Sequence, residues 1–500
     1  MSSTPVRPGR PSKAALLTLA ALALCARAWG DDGSSAATAR LAEAMGDPAR
    51  ADITLAALRT VGDEELATVF IAASRSSNKS RRMLATASLR DFSGPVAAQA
   101  LLNRVRSDVS MAVRAEALLA LVAANAATDE QLIEALAIND DAVRCIAARE
   151  LVRRKRTDLA AAALSALAAS QDPAAAAIAR LTLLASGDKR HLAGLAETIA
   201  DPSTPESLLA ILLEQIAEDK IAPAAELARR LAGSERSAAI RLLAWKAACA
   251  AAPDAAAALR EEIARQDSIS LGVRLLAILA ECDSAERHLK ALTGRSGAVA
   301  ALARFELARN ADELTAAEAA RQVAELGHPV VIDYLLESAS ADVAAKGRKA
   351  EFYVPALLAC IRLAREDSPI MTAEHIRAAR ASTALADIGT SEALAGLRNI
   401  LGERYNCRVR AVAAGLMKTK NRAACALAAP LLKSPYEELA TGAALALGRF
   451  SDPAATKYLK LIVEQSDRHS PTLVALASWY LLKSTGKTRQ AVSTVAASVE

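Results

Sequence analysis

The sequence predicts an all-α protein, a solenoid of about 13–14 helix-turn-helix repeats. Three observations carry that prediction. The 500 residues are 53% hydrophobic but only 3% aromatic, and alanine and leucine supply most of the apolar content, which favours helices over sheets because β-branched and aromatic side chains are scarce. One local frame recurs down the chain: an apolar residue, often followed by arginine, then small residues three and four positions on, then an apolar pair. Its period suits two helices and two short turns rather than one helix.

The frame is clearest at Val143-Arg144 with Ala147, Ala148 and Leu151, and it fits Val113-Arg114 with Ala117, Leu118 and Leu121, and Val409-Arg410 with Ala413, Ala414 and Leu416. Taking the arginine position as anchor gives Ala51, Arg82, Arg114, Arg144, Ala176, Ser207, Arg241 and Arg274, then a second run of Ala378, Arg410, Ala440 and Thr472, spaced by roughly 30–34 residues within each run. The register falters between Ala300 and Ala378, and Ser338 to Lys349 reads as a distorted repeat or an inserted loop. Helix starts are expected at Asp172-Pro173, Asp201-Pro202 and Asp452-Pro453, where a capping acid precedes a proline tolerated in the first turn. Capping-box spacings occur at Thr128 to Gln131, Thr315 to Glu318 and Ser434 to Glu437. Between Ala142 and Arg153 one stripe holds Val143, Ile146, Ala147 and Leu151, and another holds Cys145, Ala148 and Val152. A lone hairpin would leave apolar surface wet, so each repeat's core must be completed by its neighbours.

The Val-Arg-x-x-Ala-Ala frame preceded by an acid resembles HEAT repeats, in particular the short phycobilisome-lyase type. Asp108 before Arg114 and Asp140 before Arg144 match the turn acids of such repeats, while Arg410 has only Glu403, one position further off. The resemblance implies that Arg82, Arg114, Arg144, Arg241, Arg274 and Arg410 are structural, pairing with turn acids of adjacent units. It also implies that the second helix of each pair lines the inner surface, where a partner protein would be gripped. The lyase-type likeness raises an alternative, a chaperone-like or bilin-attaching factor; those proteins are shorter intracellular chains.

The domain reading is a signal peptide over 1–30, a repeat array over 31–335, an irregular repeat or loop over 336–352, a second array over 353–482 and a flexible tail over 483–500. Arg7, Arg10 and Lys13 precede an apolar stretch from Ala14 to Leu24 and small residues at Ala26, Ala28 and Gly30, the three-part form of a secretory signal. Cleavage after Gly30 would place the protein in the periplasm, cell envelope or extracellular space. Leu22-Ala23-Leu24-Cys25 offers lipidation at Cys25 as the alternative, against which stands the bulk of Leu24. Removing Arg7, Arg10, Lys13 and Arg27 takes the formal charge from +5 to about +1. A nearly neutral chain is not expected to bind nucleic acid, and Arg153-Arg154-Lys155-Arg156 reads as a solvated helix end. Charges interrupt every later apolar run, so no transmembrane segment is expected in the mature chain.

The chain has 7 cysteines, widely spaced and without C-x-x-C, which read as small core residues rather than bridges. Cys249 and Cys282 occupy equivalent places in neighbouring repeats, where a helix spacing of about 10 Å would hold them apart. The 5 histidines, at 191, 288, 328, 375 and 469, are isolated and none precedes a glutamate. That pattern departs from the His-Glu pairs of di-iron HEAT-repeat hydroxylases. Phosphate-loop, covalent-haem and nucleophile-elbow motifs are absent from the sequence, so the reading is a non-catalytic binding scaffold with no cofactor, metal ligand or catalytic residue. Tyr405, Tyr436, Phe450, Tyr458, Trp479 and Tyr480 gather in the last quarter of the chain. Tyr405, Tyr436 and Tyr458 are the candidate partner contacts, because tyrosine combines apolar area with a polar tip; the alternative is that these aromatics seal the end of the array.

Overall fold

The computed structural model describes residues 33–92, 94–309, 311–345, 348–364, 372–404 and 406–499. The expected signal peptide, Cys25 and Tyr405 lie outside them. Among the described residues there are 29 α-helices and no strand. The helices alternate as first and second members of antiparallel pairs from Ser34–Gly46 to Pro471–Ser484, with Thr488–Ala497 following. Every sequence anchor falls in the first two turns of a second helix, as at Asp141–Arg153 (Arg144), Ala238–Ala251 (Arg241), Ala373–Ile388 (Ala378) and Cys407–Leu416 (Arg410). The fold is an α-solenoid type of helix-pair repeat.

Local chemistry explains most helix starts. Thr128 forms the expected capping box with Gln131, and Asp172 and Asp452 each cap a helix whose first residue is proline, accepting from the amides of Ala174 and Ala454 at 2.9 Å. Three expected starts are displaced. Asp201 folds a turn by accepting from the Ser203 amide and hydroxyl at 2.8 and 2.7 Å, and the helix begins only at Glu206. Asp312, not Thr315, caps Glu313–Glu325, because its carboxylate takes both the amide and the hydroxyl of Thr315. Ser434 accepts from the Tyr436 amide at 3.2 Å, which leaves Pro435 in the turn and starts the next helix at Glu437.

The chain forms two compact units. One is Leu101–Ala428. In it Val143, Ala147, Ala148 and Leu151 are fully buried, as the first stripe and its small neighbours require, while Ile146 and Val152 are half-buried. Small residues let second helices approach closely: a Cβ on Gly415 would lie 2.6 Å from Ser382 Cβ and 2.7 Å from the Ala379 carbonyl of the preceding second helix. The faltering stretch contains two more pairs, with Ala298–Ala308 and Pro329–Ala344 as second helices. Within 336–352, expected to be an irregular repeat or a loop, residues 336–344 complete a 16-residue helix that buries Ser338 and Ala339, and Arg348–Tyr353 is a 3₁₀ turn. The division expected there falls inside this unit.

The other unit joins both ends of the chain, up to Ala100 and from Ala429 onward. Ser34–Gly46 packs on Pro471–Ser484 and Thr488–Ala497, Ala51–Arg59 on Pro471–Ser484, and Ala67–Ala73 on Thr488–Ala497. Asp63, in the turn before Ala67–Ala73, accepts from Trp479 Nε1 at 2.8 Å and from Lys483 Nζ at 3.0 and 3.1 Å. Trp479 and Tyr480 are buried here at 2% and 5% exposure. The stretch after Leu482, expected to be a flexible tail, instead finishes one helix and forms Thr488–Ala497. Ala491, Val492, Val495 and Ala496 give that helix a buried apolar stripe, and the helices that cover it come from the opposite end of the sequence.

Candidate functional site

The repeat arginines are the first residues to place. Asp140 caps Asp141–Arg153, accepting from the amides of Ala142 and Val143 at 3.1 and 3.3 Å, and the same carboxylate takes Arg114 Nε of the preceding repeat at 3.2 Å. This is the pairing with an adjacent turn acid that the motif implies. Asp108 is buried in the same way, accepting from the Ser110 amide at 2.9 Å with Arg104 at 3.6 Å. The other copies differ. Arg82 donates to the Ser76 and Ser77 carbonyls at 3.0 Å, Arg144 pairs with Asp141 of its own helix at 3.3 Å, and Arg241 donates to the Ala232 carbonyl at 3.3 Å with Glu262 at 3.8 Å. Arg410 is half-buried in Cys407–Leu416, and Arg274 is exposed and unpaired among the described residues. At Arg82, Arg114, Arg144 and Arg241 the shared position serves as a tie whose acceptor varies with the turn, whereas Arg274, expected to pair with a turn acid, points to solvent instead.

A second set of contacts defines a surface within the unit Leu101–Ala428. Arg149 and Arg153, near the end of Asp141–Arg153, reach over the whole second helix Pro173–Ala185 to the end of Glu206–Glu218. Arg149 donates to Asp219 and Glu218 at 2.9 Å each, and Arg153 donates to the same two carboxylates at 2.6 and 2.7 Å. Stacked helices lie about 8–10 Å apart, so side chains bridging two repeat steps require the C-terminal ends of these second helices to converge. The bridge therefore ties the C-terminal ends of these second helices together along one side of this stretch. Their outward residues run from Arg149 and Arg153 through Ile211 and Glu214, Lys246, and Arg274 to Arg304.

Three of the four cations in the basic run beside this surface, Arg153, Arg154 and Arg156, are paired internally. Besides Arg153, Arg154 pairs with Glu150 at 2.7 Å and Asp129 at 3.2 Å, and Arg156 with Asp129 at 2.6 Å. It is not the open cationic patch that a nucleic-acid backbone needs.

At the C-terminal ends of the next second helices, Glu218, Lys220, Lys246, Cys249, Glu281 and Cys282 share a pocket of about 230 Å³. Cys249 and Cys282 are half-buried, and their thiols are within hydrogen-bond reach of each other. Equivalent places in neighbouring repeats predict a full helix spacing between them. Cys282 lies in the turn after Ile269–Ala280 rather than on the helix, which lets its side chain reach across. The remaining described cysteines, Cys145, Cys360, Cys407 and Cys425, are buried, and burial pushes the Cys145 and Cys360 thiols up to about 12.

The densest polar cluster sits where the sequence register falters. Arg309 donates to Glu306 at 2.8 and 3.0 Å and to Asp342 at 2.7 and 3.2 Å, and Tyr353 donates to Asp342 at 2.8 Å. The Tyr334 hydroxyl hydrogen-bonds Glu306. Burial pushes the Glu306 carboxyl up ahead of the opposing pull of Arg309, and burial likewise raises both tyrosine hydroxyls. With Phe305 edge-on to Tyr353 at 6.0 Å, the cluster is a closed lock between Ala298–Ala308, Pro329–Ala344 and the 3₁₀ turn. Its chemistry is cohesion: each polar group is occupied by another of the set. Glu306 and Arg309 in an apolar helix were the visible signal, but Asp342 and Tyr353 lie too far along the chain for spacing to pair them.

Of the candidate contact tyrosines, Tyr436 is 43% exposed before Glu437–Gly448 and Tyr458 is half-buried on Pro453–Glu464. No group of three or more metal-ligating side chains occurs among the described residues, and no described helix is long and apolar enough to cross a membrane.

These features define an all-α helical-repeat protein whose helices stack as successive pairs. No family model matches the sequence, and no curated protein matches it. Among solved structures, UNC-45 from Drosophila melanogaster is 13% identical, over 95% of this chain and 82% of that one, with a TM-score of 0.34. Kap121p is 12% identical over 93% of this chain and 63% of that one, with a TM-score of 0.32. An engineered protein is 18% identical over 87% and 98%, with a TM-score of 0.21. Likenesses of this size add nothing to the fold description, which rests on the helix pairing itself.

Proposed function

We propose that the protein is a non-catalytic scaffold that is exported and binds a partner protein along the second helices of Leu101–Ala428. The observation that supports the reading most is the strip of outward residues on successive second helices, drawn together by the Arg149/Arg153 bridge to Glu218/Asp219. Such a strip mixes aliphatic area, as at Ile211 (48% exposed), with charges of both signs at Glu214, Lys246 and Arg274. That composition suits an extended protein segment rather than a polyanion. Export is supported by the charged, apolar and small-residue order of the first thirty residues. Proximity labelling in the native envelope names the partner. Ile211→Asp combined with Arg274→Glu should then weaken its binding about tenfold or more, and unchanged affinity would remove the strip as the binding surface. N-terminal sequencing of the protein from its host should begin at Asp31; an intact Met1 in the cytoplasm would remove export.

A further inference from the structure

We propose that Cys249 and Cys282 are a paired thiol site that closes to a disulfide between adjacent repeats when it meets a small-molecule disulfide. The geometry carries the assignment. Cys249 lies two residues before the end of Ala238–Ala251, Cys282 lies two residues after the end of Ile269–Ala280, and both line one solvent-open pocket with Lys220, Lys246, Glu218 and Glu281. The other described cysteines, Cys145, Cys360, Cys407 and Cys425, are buried and do not open onto this pocket. Within the pair the two thiols play different parts. Cys282 S–H donates to the Ile278 carbonyl at 3.4 Å, and its sulfur accepts from Cys249. That bond pulls the Cys282 thiol down and, with burial, pushes the Cys249 thiol up. Cys282, carried in the turn after its helix, is the thiol that can move to meet a small disulfide and attacks first, and Cys249, held on its helix, resolves the mixed disulfide.

With oxidised glutathione as the co-reactant, the Cys282 thiolate attacks one glutathione sulfur, forming a mixed disulfide and releasing one glutathione thiolate. The Cys249 thiol then gives its proton to solvent and attacks the Cys282 sulfur, releasing the second glutathione. Two protein thiols are oxidised to one disulfide while one glutathione disulfide is reduced to two thiols, so the exchange balances without another oxidant. Closure needs the sulfurs to move from contact to bonding distance, and the turn Glu281–Ser284 is the segment able to supply that movement. The bond would tie two consecutive second helices beside the Glu218 end of the arginine bridge and fix their spacing there.

The test uses the full chain incubated with oxidised glutathione, quenched by alkylation in denaturant and read by peptide mass spectrometry. A cross-linked peptide pair joining Cys249 to Cys282, lighter by two hydrogen atoms than the separate peptides, is the expected product, with Cys145, Cys360, Cys407 and Cys425 recovered alkylated. Cys249→Ser should accumulate glutathione on Cys282, whereas Cys282→Ser should slow adduct formation at Cys249 about tenfold or more. Circular dichroism checks that both variants keep their helices. Hydrogen exchange in Ala238–Ala251 and Ile269–Ala280 should slow on oxidation. Recovery of the two cysteines as separate adducts, a different bridge, or faster exchange in those helices after oxidation would overturn the proposal.

Discussion

Replacing Asp140 tests the repeat logic at its best-defined joint. Its carboxylate is 2% exposed and holds two amides at the start of Asp141–Arg153 while taking Arg114, itself 19% exposed, from the preceding repeat. Asp140→Ala loses the cap, worth about 1 kcal/mol. It also loses a charge-assisted bond and leaves a largely buried guanidinium without it, for about 2 kcal/mol more. The sum, about 3 kcal/mol, corresponds to roughly a hundredfold faster exchange of amides that open with this helix. Asp140→Asn keeps the side-chain oxygen that caps but not the charge, so about 1–2 kcal/mol and a tenfold effect are expected. Hydrogen exchange with mass spectrometry reads helices 111–123 and 141–153 directly, which suits an array where a single global transition is not assured. Equal effects of alanine and asparagine, or protection unchanged in both helices, would refute the dual role of the turn acid.

Other joints make parallel predictions. Asp63→Ala should lower the stability of the unit formed by the chain ends by about 2 kcal/mol, because Trp479 Nε1 and Lys483 lose their shared acceptor; a urea midpoint equal to the parent's would contradict it. Gly415→Ala should cost about 1–3 kcal/mol, since the new methyl meets backbone of Ala373–Ile388 that cannot swing away; unaltered protection of Cys407–Leu416 would show that the helices can separate freely. Glu306 has its carboxyl raised above its ordinary 4.5 by burial, so the folded state holds its proton more tightly than the unfolded one. Its favourable share is full below pH 4.5 and is lost as pH rises through the folded value, so the stability difference between parent and Glu306→Gln should fall with rising pH from 4.5 upward. A flat difference across that range would remove burial as the dominant cause. Tyr436→Ala with Tyr458→Ala should weaken partner capture only if the aromatic cluster is itself a contact; with helices intact and capture unchanged, Trp479 and Tyr480 mark its role as internal packing.

The fold was legible because the frame is written in residue size. At Val143, Ala147, Ala148 and Leu151 the pattern names positions that are buried whatever the neighbouring repeats are. Turn acids were legible for the same reason at Asp108 and Asp140, whose amide acceptor roles are local. Partners across repeats were not. Arg149 and Arg153 carry no sign that they reach two repeats on, because the convergence that makes it possible is a property of the stack. Helix Thr488–Ala497 looked like a tail because the helices that cover its valines come from residues 34–73. Cys249 and Cys282 were judged by helix spacing, but a residue in a turn is not bound by that spacing.

The proposed binding role of the second-helix strip is tested most directly by site-specific photo-crosslinking in the native host. Photoreactive residues at Ile211, Lys246 and Arg274 should all capture one and the same protein, and residues placed at Glu197 and Glu261 on first helices of the same repeats should not. Capture of that protein from the first helices alone, with none from the three second-helix positions, would contradict the account.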